Sequence, residues 1–258
     1  MLPGERRNRI IDLVNKNNSI TVAMLCETLN ASEATIRRDL TTLESDGKLE
    51  RTHGGAISTN AITLEYEETF LQKELQFASE KKSIAMKAFE LIKDHDSILL
   101  DAGTTTLEIA KLIGQSQLRL TVVTNSTILS QAISYNDKVE LYVVGGKVRL
   151  NTLATVGNTA IDMIKRFCVN KVFIGINGIT ISNGLTTPDL EEAEMKRAML
   201  ESGITRYVLA DHTKFDKVAL CQVAPLSMID GIITDNALAQ DQAAAFEKND
   251  ITVILADL

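Results

Sequence analysis

The chain has 258 residues, 45% of them hydrophobic, and a formal net charge of −7, a length that suits two domains at roughly 150 residues each. No run approaches the roughly 18 consecutive apolar residues of a membrane span, and the opening MLPGERRNRI lacks the apolar core of a secretory signal, so the expectation is a soluble, cytoplasmic protein. Three scattered cysteines, Cys26, Cys168 and Cys221, show neither the pairing of a disulfide framework nor metal-site spacing, and no metal or cofactor is expected.

The first predicted helix carries Ile10, Ile11, Leu13 and Val14 at helical spacing and stops in a polar run at 15–19. Thr21 suits the N-cap of a second helix with Val22, Leu25 and Leu29 on one side, and Asn30 tolerates the left-handed position after it. Only Ala31 separates Asn30 from Ser32, the N-cap of a third helix whose inward residues are Ile36, Leu40 and Leu43 and whose stop is Gly47. Two short helices joined so tightly define helix-turn-helix geometry. The other sides of the third helix carry Thr35, Arg37, Arg38, Thr41 and Thr42, a face suited to the major groove, where arginine bonds guanine in a bidentate way. Lys48 to Gly55 then alternates apolar and polar residues up to a Gly54-Gly55 turn. That pattern predicts a β-hairpin wing, in which Lys48, Arg51 and His53 grip the DNA backbone.

An acidic chain is at first sight a poor partner for phosphates. Residues 1–57, however, carry eight basic and eight acidic side chains, so the surplus of acid lies downstream. An isolated Arg-Arg pair is ordinarily a solvated helix face, and it is the surrounding pattern that carries the DNA reading.

Residues 58–63 are small and polar and read as a hinge. Glu65, Glu67 and Glu68, with Tyr66 and Phe70, open a connecting helix whose acids form a solvated face. The organisation expected is a DNA-binding domain over 1–57, a connection over 58–80 and an effector domain over 81–258.

In that last segment helical patterns alternate with β-branched runs. Lys82 to Ile92 predicts a helix, and strands are predicted at 97–100, 120–123, 139–144, 172–176, 206–209, 231–234 and 251–255. The alternation is that of an α/β fold with a mainly parallel sheet, whose ligands bind at the carboxyl ends of the strands. The first strand ends in Asp101-Ala102-Gly103-Thr104-Thr105-Thr106 and runs into a helix with Leu107, Ala110 and Ile113. Glycine and a helix N-terminus with three hydroxyls suit a phosphate dianion, although one threonine acting as a simple cap is the plainer reading of this motif taken alone. Two further strands end in Thr124-Asn125-Ser126 and Gly145-Gly146-Lys147.

The block Ser32-Glu33-Ala34-Thr35-Ile36-Arg37-Arg38-Asp39-Leu40, followed by Arg51-Thr52-His53-Gly54-Gly55-Ala56, resembles the signature of the DeoR family of bacterial repressors. So do Gly175-Ile176-Asn177-Gly178-Ile179, Gly184-Leu185-Thr186-Thr187-Pro188-Asp189 and Ala210-Asp211-His212-Thr213-Lys214-Phe215, and the likeness extends over about residues 3–257. The resemblance implies a winged helix-turn-helix joined to a larger domain similar in fold to ribose-5-phosphate isomerases. It implies a repressor of carbohydrate metabolism that binds operator DNA as a homodimer or homotetramer and is relieved by a phosphorylated sugar. DNA contact falls to Ser32, Thr35, Arg37, Arg38, Thr41, Lys48, Arg51 and His53, with Asp39 orienting an arginine or capping structure rather than meeting DNA. Gly103, Thr104, Thr105 and Thr106 would hold the phosphate, and Asp101, Asn125, Gly145, Gly146, Asn177, Lys196, Asp211 and Lys214 would line the rest.

The rival reading is a sugar-phosphate isomerase, which needs a carboxylate base near the carbon proton. Enzymes of that kind place an acid about where Asn177 stands, and an amide is no base at neutral pH. Glu191, Glu192 and Glu194 remain as alternatives. His53, His95 and His212 have no metal-ligand spacing, and no catalytic residue is assigned.

Overall fold

A computed structural model describes residues 3–17, 19–52, 54–58 and 68–257. The chain divides into two compact units, Met1–Leu64 and Glu65–Leu258.

The first unit runs α1 (Pro3–Asn17), β1 (Ser19–Thr21), α2 (Val22–Leu29), α3 (Glu33–Ser45), β2 (Leu49–Thr52) and β3 (Gly55–Ser58), with an antiparallel sheet in the order β1-β3-β2. Its core is the set of residues with helical spacing: Ile10, Val14, Leu25, Leu29, Ile36, Leu40 and Leu43 are buried, together with Leu49 and Ala56 of the hairpin. Local chemistry sets the helix ends. Thr21 accepts from the Met24 amide and Ser32 from the Thr35 amide, while Asn30 closes α2 in the left-handed region at φ 48°. Gly55, read as part of a turn, lies in β3 instead. A Cβ there would sit 2.1 Å from the carbonyl oxygen of Ile20, so this glycine is what lets β1 pair with β3.

The second unit opens with α4 (Phe70–Leu75) and α5 (Ala78–Phe89), so the helix expected from Lys82 begins four residues earlier and leaves Leu91 and Ile92 beyond its end. There follow β4 (Ser97–Leu100), α6 (Thr104–Gln115), β5 (Leu120–Thr124), α7 (Thr127–Ile133), β6 (Val139–Val143), β7 (Lys147–Arg149), β8 (Ala154–Val156) and α8 (Asn158–Ile164). The remainder is β9 (Val169–Gly175), β10 (Gly178–Thr180), β11 (Gly184–Thr187), α9 (Leu190–Glu201), β12 (Gly203–Leu209), β13 (Cys221–Ala224), β14 (Gly231–Asp235), α10 (Gln240–Glu247) and β15 (Thr252–Ala256).

Seven strands form one parallel sheet in the order β15-β14-β12-β9-β4-β5-β6. They are the seven runs predicted from the sequence. Alternate residues face opposite ways and both faces are covered, as parallel sheets require. Ile98 and Leu100 pack with α5, α6 and α7, whereas Leu99 joins Val172, Ile174 and Val208 against α8 and α9. The smaller β7-β8 hairpin and the β10-β11-β13 sheet were not anticipated. After β4 the chain builds outward to β5 and β6; from β9 it builds the other way. The order therefore reverses between β4 and β9, and a crevice opens at their carboxyl ends.

Candidate functional site

In the first unit, α3 carries Arg37 and Arg38 with their side chains exposed. Arg37 is paired with Glu33 one turn back, at 2.7 Å. Arg38 makes no ion pair among the described residues. The hydroxyls of Ser32 and Thr35 bond each other at 2.8 Å, so both are already engaged at the start of the helix. Thr41 donates to the Arg37 carbonyl at 2.9 Å and accepts from Arg51 Nη1 at 2.8 Å, which ties the wing strand to α3. Lys48 is exposed; His53 lies outside the described residues. Asp39 is 2% exposed and accepts from Arg6 Nε at 2.6 Å and Arg7 Nε at 3.1 Å. It orients arginines, as expected from its sequence position, and those arginines belong to α1.

In the second unit the switch-point crevice is a small cleft open to solvent, of about 80 Å³. Ala102, Gly103, Thr104 and Thr105 line it from the β4–α6 junction, Gly175, Ile176 and Asn177 from the end of β9, and Ala210, Asp211 and Lys214 from the end of β12. Gly103 is the N-cap of α6 and has no side chain to occupy the first amides of the helix, which have no intrahelical partners. Those amides and the helix dipole favour an anion. Lys73, Lys81, Lys196 and Lys214 line the same cleft against Glu192 and Asp211.

Side chains here are mutually fixed. Lys196 Nζ is paired with the buried carboxylate of Asp101. Glu192 accepts from Thr152 Oγ1 at 2.6 Å and from Arg149 Nη1 at 3.3 Å. Asn177 Oδ1 accepts from Thr187 Oγ1 at 2.9 Å. Lys81 is buried and donates to the backbone carbonyls of Lys73 and Gln76, the second at 2.6 Å. Burial pushes its pKa below the ordinary 10.5, with Lys214 acting the same way, while Asp211, Glu68 and Glu74 oppose the shift.

Of the residues singled out from the sequence, Gly103, Thr104, Thr105, Asn177, Lys196, Asp211 and Lys214 meet at this cleft, and Asp101 and Asn125 line a small neighbouring pocket that shares Ala102, Glu192 and Lys196 with it. Thr106 does not reach it. Its hydroxyl, fully buried, donates to the Asp101 carbonyl at 2.8 Å and accepts from the Gly103 amide at 2.9 Å, so it braces the first turn of α6 from inside the helix. Gly145 and Gly146, between β6 and β7, do not line the cleft either. The sequence reading missed Lys73, Gln76, Phe77, Lys81 and Thr152, and offered Glu192, which also lines the cleft, only as an alternative base for the isomerase reading. A phosphate motif has a local spelling, but these residues reach the cleft only through packing.

A family model described as the DeoR-like helix-turn-helix domain matches residues 6–61, and one described as the DeoR C terminal sensor domain matches residues 76–236. The HTH-type transcriptional regulator GlpR of Haloferax volcanii is 38% identical over 254 residues, covering 98% of each chain. The lactose phosphotransferase system repressor of Lactococcus lactis subsp. lactis is 33% identical over 253 residues, again 98% of each. A solved structure of ribose 5-phosphate isomerase A from Methanocaldococcus jannaschii is more distant, with a TM-score of 0.38 at 16% identity over 52% of this chain and 53% of that one.

Proposed function

The chain belongs to the DeoR family of DNA-binding transcriptional regulators, and from that premise we propose that it represses a carbohydrate-metabolism operon and is released from its operator by a phosphorylated sugar. Its full-length relatives are regulators, and the chain is placed with them rather than with enzymes. The observation that carries the effector reading is the Gly103-capped start of α6, opening into a cleft at the sheet's switch point that four lysines border. In this reading the amides of Thr104 and Thr105 hold the phosphate, and Asn177, Lys196, Asp211 and Lys214 meet the rest of the ligand. Arg37, Arg38, Lys48, Arg51 and Thr41 face the operator, with Ser32 and Thr35 shaping the start of the reading helix.

A repressor named for a sugar transport system among the relatives supports the carbohydrate assignment. Catalysis has no support in the cleft's acids: Asp101 is held by Lys196, Glu192 by Thr152 and Arg149, and Asp211 accepts from the Thr213 amide. The protein works in the cytoplasm as a homodimer or homotetramer, one helix-turn-helix per half-site, with half-sites spaced by whole turns of roughly 34 Å. No helix among the described residues is long and apolar enough to cross a membrane.

The test is a thermal-shift screen of sugar phosphates followed by a mobility-shift assay on the flanking promoter DNA. A ligand at 100 times its Kd stabilises the protein by about 2.7 kcal/mol, and the same compound is expected to release the DNA. Binding of DNA that no sugar phosphate alters would overturn the effector assignment.

A further inference from the structure

α4 is six residues long, too short to hold itself as a helix in water. Phe70 is the residue it buries, whereas Leu71 and Leu75 stand 70% and 84% exposed. What fixes α4 is a short set of ties. The Phe70 amide donates to the Asn151 carbonyl at 2.7 Å, Lys111 of α6 reaches Glu74 at 3.7 Å, and Lys81 donates to the carbonyls of Lys73 and Gln76. Phe77, just past the helix, stands at φ 48° with its ring against His212. An element with so few buried contacts opens at low free energy.

The same element forms one wall of the cleft, through Phe70, Lys73, Gln76 and Phe77. The opposite walls are the ends of β9 and β12 and the start of α6. They are fixed, since β4, β9 and β12 each pair with a strand on either side and α6 buries Leu107, Ile109, Ala110 and Ile113. A cleft of about 80 Å³ takes a phosphate, but small-molecule sites ordinarily run to roughly 300–1,000 Å³. A phosphate that carries a carbon chain is buried here only if a wall gives way, and α4 is the weakest. Gln76 also donates from Nε2 to Glu68 Oε1 at 2.6 Å, and Glu68 is where the described chain resumes after 59–67, the connection from the DNA-binding unit. One residue thus borders the cleft and grips the end of that connection.

We propose that α4 is a displaceable strap: an organic phosphate anchored on the α6 amides pushes α4 off its ties, and the Glu68–Gln76 hydrogen bond passes the movement to the connection. This rests on the phosphate reading above and adds its means of regulation. The ligand gains differential affinity because its carbon chain fits only the displaced state.

The test is hydrogen–deuterium exchange of the full chain, alone and with inorganic phosphate, glycerol 3-phosphate, ribose 5-phosphate or fructose 6-phosphate at matched ionic strength. Inorganic phosphate is expected to slow the first turn of α6 and leave 70–77 unchanged. At least one organic phosphate is expected to slow α6 and to speed 70–77 roughly tenfold or more. Protection at α6 with no acceleration at 70–77 by any organic phosphate, or equal acceleration by inorganic phosphate, would overturn the strap and leave the phosphate reading intact. No change at α6 with any of the four would overturn that reading and the strap with it. Glu68→Ala is the second arm, since Glu68 does not line the cleft. The variant is expected to bind the flanking promoter DNA and the same organic phosphate like the wild type, while the factor by which that phosphate weakens DNA binding falls roughly threefold or more. An unchanged factor would overturn the strap, and a wild type that the phosphate does not release would overturn the effector assignment and the strap together.

Discussion

Arg37 and Arg38 are adjacent on one exposed helix, yet their neighbours give them different freedom. Arg37 is held by Glu33 at 2.7 Å and must exchange that partner for any base it meets. In the proposed DNA-facing role Arg38, with no ion pair among the described residues, would need no such exchange, although an exposed pair such as Arg37–Glu33 is worth only about 0–1 kcal/mol. If Arg38 makes a bidentate base contact, Arg38→Ala is expected to cost about 1–3 kcal/mol of operator affinity and to relax base preference at one position; a contact to phosphate alone would weaken all sequences alike. Mobility shifts on an operator and its single-base variants, at one fixed salt concentration, separate the two. The caps were legible at this scale because Thr21, Ser32 and Asn30 act on amides and φ values within three residues of themselves. The partners of Asp39 were not, since Arg6 and Arg7 lie more than 30 positions away in sequence.

Among the elements, central strands of the parallel sheet such as β4, β5 and β14 were readable because strands buried on both faces must be near-continuous runs of Val, Ile and Leu. The largely exposed edge strand β6 shows as a short β-branched run. The β7-β8 and β10-β11-β13 pieces are three or four residues each and carry Gly, Thr and Lys, which leaves no period to detect. The junction of α4 and α5 was equally silent. Phe77 there stands at φ 48°, a region that is uncommon for a bulky side chain and costs of order 1–3 kcal/mol. Its ring meets His212 edge-on at 5.5 Å, and Lys81 holds the carbonyls of Lys73 and Gln76 on the other side of the break. Lys81→Met is therefore expected to loosen α4, at a cost of about 1–3 kcal/mol. The pH dependence has a definite sign. Because burial lowers the pKa of Lys81 in the folded state, the folded form holds this proton less tightly than the unfolded one, and the penalty applies at pH values below the lowered pKa. Relative to Lys81→Met, the wild type should gain stability as pH rises toward 10.5. Chemical denaturation of both proteins at several alkaline pH values reads this directly, and a constant difference would show that the amine titrates alike in both states.

For the whole molecule, regulation needs a coupling free energy between a DNA site in one unit and an effector site in the other. A ligand shifts operator affinity only by its differential affinity for the two states of the protein. Reciprocity follows: the factor by which the effector weakens operator binding must equal the factor by which operator DNA weakens effector binding, typically 5–150-fold. Thr105→Leu separates the two sites. Thr105 lines the cleft at the start of α6 and is 7% exposed, so a leucine there adds apolar bulk where a phosphate would approach the amides, while α3 lies in the other compact unit. The variant is expected to bind operator DNA like the wild type and to stay bound at effector concentrations that release the wild type. Calorimetric titration of effector into free and DNA-bound wild type, beside the mobility shift with and without effector, measures both arms of the cycle. A factor of one in either arm would show that no coupling joins the two sites. Full release of the Thr105→Leu protein would place the phosphate away from α6.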